Sequence, residues 1–126
     1  MRVVDTSAWI EWILGSETGG SVADELPPNE QWVVPTIVQY ELASWVTREM
    51  SAAAAASTIA FSTELIVRVL DTEVATKAVD YANRYGLAMA DSIIYATAID
   101  TGADLLTCDS HFAELPQVVY FARGGR

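Results

Sequence analysis

The chain has 126 residues, 52% of them hydrophobic, and sets 17 acids against 7 Lys and Arg for a formal charge of -10 at neutral pH. The length suits one compact domain, no apolar run reaches the roughly 18 to 20 residues needed to cross a bilayer, and Asp5 and Glu11 interrupt what would be a secretory leader, so a cytoplasmic protein is expected. The lone Cys108 excludes an internal disulfide and a thiolate zinc site, while the acidic balance argues against a nucleic-acid surface unless a divalent cation, a basic partner or a second subunit supplies positive charge.

In chain order, Arg2-Val3-Val4-Asp5 predicts a short strand, and Ser7 to Leu14 has helical spacing ended by Gly15. Gly19-Gly20 predicts a loosened turn, followed by a short helix over residues 21–26 that Pro27-Pro28-Asn29 stops ahead of a strand at Trp32-Val33-Val34. Thr36 and Gln39 have capping-box spacing and open a helix to about Met50. The alanine run that follows reads as helix and not linker, because alanine has the highest helix propensity and the run continues into Ile59 and Phe61. Residues 65–70 predict a strand, and residues 73–85 a helix with Val74, Ala78, Tyr81 and Ala82 on one face and Gly86 as its stop. A helix over 90–101 ends at Gly102, a strand covers 104–107, a turn or short helix 109–115, and a last strand 117–121. This alternation predicts an α/β fold, a mostly parallel sheet of about five strands with helices on both faces and ligands beyond the strands' carboxyl ends.

The acids fall on that rim. Asp5 ends the first strand and Asp109 directly follows the strand at 104–107, so both project from one sheet edge. Glu41 lies one turn into its helix, beside Ile37, Val38 and Trp45, and borders the apolar stripe. Asp91 opens its helix on the face of Ile94, Tyr95 and Ala98. Taken singly, Asp5, Asp91 and Asp109 each precede Ser or Thr and fit a helix N-cap; Glu41 has no such explanation. Taken together, four carboxylates at one rim repel strongly, an arrangement suited to a hard divalent cation with oxygen ligands. Asp5, Glu41 and Asp91 are the first-choice ligands, with Asp109 a ligand or a support, and the chemistry that suits them is phosphodiester hydrolysis by metal-activated water.

Val3-Val4-Asp5-Thr6-Ser7, the acid of the Glu41 helix, Tyr85-Gly86-Leu87 leading to Ala90-Asp91, and Leu105-Leu106-Thr107-Cys108-Asp109-Ser110-His111-Phe112 span nearly the whole chain. In order and spacing they resemble the PIN-domain family, and within it the VapC-type toxins. The resemblance implies a single PIN domain over residues 1–126, a PIN-like α/β fold, dependence on Mg²⁺ or Mn²⁺ at Asp5, Glu41, Asp91 and Asp109, endonucleolytic cleavage of RNA, homodimerisation, and inhibition by a cognate antitoxin. Cys108 departs from the pattern, since similar proteins often carry a basic residue there.

Other residues have plainer expectations. Thr6, Ser7 and Thr107 suit capping and turn hydrogen bonds more than catalysis, and His111 a structural hydrogen bond more than general-base work. Arg84, Arg123 and Arg126 are candidate phosphate contacts, although Arg84 equally suits a helix carboxyl end. Trp9 and Trp12 with Ile10 and Ile13 are more apolar than one buried stripe requires, so one tryptophan is expected in the core and the other in an exposed groove for an antitoxin helix. Few basic residues imply a shallow salt dependence for any RNA binding, with a log-log slope of about -2 to -4. A phosphoacceptor receiver domain would need adjacent acids after the first strand and a lysine after the last, whereas Asp5 is followed by Thr6 and the only lysine is Lys77. The alternative that stays open is a catalytically silent PIN-like module acting through protein or RNA binding.

Overall fold

Val3-Val4, Val33-Val34 and Leu105-Leu106 are fully buried pairs, as strands covered on both faces require. They form the middle of a sheet in a computed structural model that describes residues 1–123. Among the described residues the strands are β1 (Arg2–Val4), β2 (Trp32–Pro35), β3 (Ile66–Arg68), β4 (Asp104–Thr107) and β5 (Val118–Tyr120). Their order is β3-β2-β1-β4-β5 and every pairing is parallel. Parallel neighbours need long crossovers, which helices α1 (Thr6–Leu14), α2 (Glu17–Ala23), α3 (Thr36–Glu49), α4 (Ala52–Ser62), α5 (Thr72–Tyr85) and α6 (Met89–Thr101) supply. The chain leaves β1 toward β2 on one side and returns to β4 on the other, so the crevice at the carboxyl ends of β1 and β4 is a topological switch point. Val4 pairs with Leu106, and the Asp5 amide donates to the Leu106 carbonyl at 2.8 Å, which sets the end of β1 beside the end of β4.

Four local expectations change. First, α2 begins at Glu17 and runs through Gly19-Gly20; Ser16 caps it by accepting from the Gly19 amide at 2.9 Å. Gly19 is there for close approach, because a Cβ would sit 2.1 Å from the Glu11 carbonyl oxygen. Gly19→Ala should therefore cost about 1 to 3 kcal/mol by forcing α1 and α2 apart. Gly20→Ala, whose Cβ would meet nothing within 4 Å, should instead gain up to about 1 kcal/mol of helix propensity. Thermal melts of the two variants should move in opposite directions, and equal shifts would contradict the packing argument.

Second, the capping box does not form. Thr36 is already the first helical residue of α3, behind Pro35, and Gln39 Nε2 donates to Ser62 Oγ at 3.0 Å, tying α3 to α4. Third, β3 is limited to Ile66–Arg68, the stretch that pairs with Val33–Pro35; Val69 and Leu70 run on exposed. Fourth, neither Trp9 nor Trp12 lies in an open groove. Trp9 is buried against Trp32 at 4.9 Å between ring centroids, and the partly buried Trp12 packs at a tilt on the same cluster, 5.7 Å from Trp32 and 6.2 Å from Phe61. β2 and α4 deliver the rings, Trp32 and Phe61, that pack against the pair.

Three of the seven Lys and Arg are spent on the scaffold. Arg2 bonds Asp104 through Nε and Nη2 (2.8 and 2.9 Å) and also reaches Glu25. Arg68 and Lys77 converge on the two oxygens of Asp100 at 2.9 Å each, which ties β3 and α5 to α6. No described helix is long and apolar enough to cross a membrane.

Candidate functional site

Asp5 occupies the N-cap position of α1, yet its side chain makes no capping bond. Its Oδ2 instead accepts from Ser7 Oγ at 2.6 Å and from Thr107 Oγ1 at 2.8 Å. Those hydroxyls lie 3.2 Å apart, and each is fixed in turn by a backbone amide: Cys108 donates to Ser7 Oγ and Asp109 to Thr107 Oγ1, both at 2.9 Å. This buried network locks the carboxylate of Asp5 and leaves its Oδ1 without a hydrogen bond among the described residues. An acceptor oxygen held rigid and unpaired is the kind of donor a hard cation uses.

The other acids arrive from separate elements. Glu41 projects from α3, and Thr6 Oγ1 donates to its Oε1 at 2.6 Å across the gap between α1 and α3. Asp91 is the third residue of α6, whose N-cap is Ala88, so it is not a cap. Asp109 does cap, accepting from the His111 amide at 2.9 Å at the start of the Ser110–Phe112 turn. The His111 imidazole then stands between two acids, with Nδ1 3.2 Å from Asp109 Oδ1 and 3.5 Å from Asp91 Oδ2. All four acids line one cleft of about 400 Å³, together with Ile10, Tyr40, Trp45, Arg48 and Arg123.

Burial and the neighbouring acids raise the proton affinity of two of these groups, Asp5 and Asp91. Asp5 is pushed up to about 6, chiefly by burial; the Ser7 and Thr107 hydroxyls oppose this, and the charges of Asp91 and Asp109 add to it. Asp91 is raised by burial and by Asp109, with Glu41 adding and His111 opposing. The acids therefore behave as one electrostatic unit. Asp91, Asp109 and His111 also present ligand atoms within 4.8 Å of one another. Rigid oxygen donors, raised carboxyl affinities for protons and an open cleft together fit a bound divalent cation.

The cleft thus collects Asp5, Glu41, Asp91 and Asp109 as the sequence suggested, and gives Thr6, Ser7 and Thr107 a task that capping statistics could not, since their partners lie up to 102 residues away. Arg123 lies at the cleft; Arg84 does not, its guanidinium standing 5.8 Å from the ring centroids of Tyr81 and Tyr85. Arg126 falls outside the described residues. Tyr40 and Arg48 escaped the sequence reading, although Arg48 carried a usable signal, being seven residues past Glu41 and hence on the same face of α3. Cys108 is a buried small side chain, 3% exposed.

Comparison with known proteins bears on this arrangement. Residues 2–118 match the family described as PIN domain. A toxin-antitoxin complex from Klebsiella pneumoniae superposes with a TM-score of 0.81 at 22% identity, covering 94% of this chain and 96% of that one. The Mycobacterium tuberculosis toxin VapC20, described as cleaving the sarcin-ricin loop, superposes with a TM-score of 0.75 at 21% identity over 94% and 97% of the two chains. DNA-bound VapBC from Salmonella typhimurium gives 0.71 at 16% identity over 96% of each. At such identities these likenesses establish the fold. A search of curated proteins returned no match.

Proposed function

The chain belongs to the PIN-domain family, and from that premise we propose that it is a metal-dependent endoribonuclease, the toxin of a toxin-antitoxin pair. The observation that carries this reading is the cleft itself, which four carboxylates from four parts of the chain line together, Asp5 keeping one oxygen without a hydrogen bond among the described residues. Asp5, Glu41, Asp91 and Asp109 are the residues that would hold Mg²⁺ or Mn²⁺. When bound, such a cation activates water for attack on phosphorus and offsets the charge that develops on the phosphate oxygens. Ser7 and Thr107 orient Asp5, Thr6 orients Glu41, and His111 stands between Asp91 and Asp109. No nucleophilic side chain is required.

Residues 1–126 act as one PIN domain in the cytoplasm, as a homodimer restrained by a cognate antitoxin protein; the toxin-antitoxin complexes among the structural neighbours support that partner. The purified protein with Mg²⁺ or Mn²⁺ should cut single-stranded or loop RNA and stop on addition of EDTA. Binding without metal-dependent cleavage would make it a silent module and overturn the enzymatic reading.

Thr6 supplies a narrower test, since its hydroxyl is held by Glu41 and is proposed to act through it. Thr6→Val keeps the shape and removes the donor, and should lower kcat about tenfold or more with KM little changed, as loss of a ligand's orienting bond does. Thr6→Ser should restore most of the rate. A fall of equal size in Thr6→Ser would show that packing, not the hydroxyl, matters there.

A further inference from the structure

The seven Lys and Arg of this acidic chain are unevenly employed. Arg2 is held by Asp104 and Glu25, Arg68 and Lys77 by Asp100, and Arg84 lies over Tyr81 and Tyr85. Among the described residues, only Arg48 and Arg123 are cations that line the acid cleft. They reach it from opposite directions in the sheet. Arg48 sits on α3, the helix that follows β2, whereas Arg123 follows β5, the edge strand beyond β4.

Neither arginine is withdrawn from solvent by its partner. Arg48 pairs with its neighbour Glu49 at 3.1 Å, with side chains 62% and 50% exposed, a contact that water and salt screen heavily. Arg123 Nε forms an ion pair at 3.9 Å with Oε2 of the buried Glu11, beyond hydrogen-bond reach, and its own side chain stays 48% exposed. Two guanidinium groups flanking a row of carboxylates suit a ligand with repeating negative charge, because each can take a phosphate oxygen pair with its planar fork. Arg123 also borders a second depression, beside Ser110 and Tyr120, so a strand lying on it has room to continue past β5.

We propose that Arg48 and Arg123 form a two-sided phosphate grip that lays a single RNA strand across the acid cleft, one arginine on each side of the bond to be cut. The grip rests on the ribonuclease reading above and adds the binding residues that reading lacks. It accounts for how a chain of charge -10 holds a polyanion: the two described cations that line the cleft stand where flanking phosphates fall. Two contacts on a single strand correspond to a log-log salt slope of about -1.4 per protomer, shallower than the basic-residue total suggests.

The test is fluorescence anisotropy of a labelled single-stranded oligoribonucleotide with the Asp5→Asn protein in Ca²⁺, across a KCl titration. Arg48→Ala and Arg123→Ala, added to that background, should each weaken binding about tenfold and reduce the magnitude of the salt slope by about 0.7. Arg84→Ala should stay within about twofold, and unchanged melting temperatures should exclude misfolding. In the cleaving protein, either variant should raise KM and leave kcat nearly unchanged. If the Asp5→Asn protein binds RNA and both arginine variants keep its affinity, or lose affinity with the slope unaltered, the grip is overturned while the ribonuclease reading survives. If the parent protein neither binds nor cuts RNA, both fall.

Discussion

Asp5→Asn and Asp91→Asn should each slow RNA cleavage by about a hundredfold or more at saturating Mg²⁺, because losing one anionic ligand misplaces the cation and the water it activates. The two substitutions test different neighbourhoods. Asparagine at position 5 can still accept from Ser7 and Thr107 through its amide oxygen, so the buried network should stand, while its NH2 group replaces the free oxygen and both the charge and the ligand atom are lost. Asp91 makes no capping bond, so its replacement leaves the helix start at Ala88 intact. Because the acids act as a unit, the double variant should be little worse than the worse single one. Rates measured under single-turnover conditions decide the matter, and wild-type cleavage in both single variants would remove the acids from the chemistry.

The second large effect is on stability and follows from the raised affinity of Asp5 for protons. Its folded value of about 6 lies above the ordinary unfolded value of about 3.9. Between those two values the folded protein keeps the proton and the unfolded chain has lost it, so the native state binds more protons and stability falls as pH rises. Two units amount to about 3 kcal/mol, lost progressively between about pH 4 and 6 and not regained above. Asp91 is shifted in the same direction and adds to the fall. Asp100, held low by Lys77 and Arg68, has the opposite sign, but its contribution is lost only below the ordinary carboxylate range and leaves this window untouched.

The metal-free protein should therefore melt at a higher temperature near pH 5 than at pH 7. Asp5→Asn should flatten that dependence and, at pH 7, equal or exceed the wild type in stability. A divalent cation at about a hundred times its dissociation constant should add around 2.7 kcal/mol to the wild type at pH 7 by binding only the folded state, and much less to Asp5→Asn or Asp91→Asn. Melting curves in EDTA and in Mg²⁺ at both pH values provide the measurement. A wild type most stable at pH 7 without metal would contradict the burial of an ionisable Asp5, and an undiminished metal response in Asp91→Asn would take that residue out of the site.

The alternation of strands and helices was legible in the sequence because it is written in local periodicity: paired apolar residues such as Val3-Val4 and Leu105-Leu106 for covered strands, and the spacing of Val74, Ala78 and Tyr81 for a helix that buries one face. Gly15, Gly86 and Gly102 end α1, α5 and α6 at positive φ, as their positions suggested. The four acids were legible because parallel strands joined by helices send everything at their carboxyl ends to one rim, so order along the chain already implied proximity.

What chain order does not encode is which side chain meets which partner across that rim. Thr36 and Gln39 have the spacing of a capping box, but Ser62 competes for Gln39 from another helix. Gly19 reads as a turn residue until the Glu11 carbonyl is seen to fill the place of its Cβ. Trp12 reads as surplus apolar surface until Trp32 and Phe61 cover it. The sequence by itself determined the elements, the rim and the carboxylates on it, since these follow from periods of two and 3.6 residues and from βα connectivity. The tertiary structure decided that Ser7 and Thr107 fix Asp5, that Thr6 fixes Glu41, and that Arg48 and Arg123 alone among the described cations face the cleft. Those are contacts between residues up to 102 positions apart, and no local propensity specifies a partner at that distance.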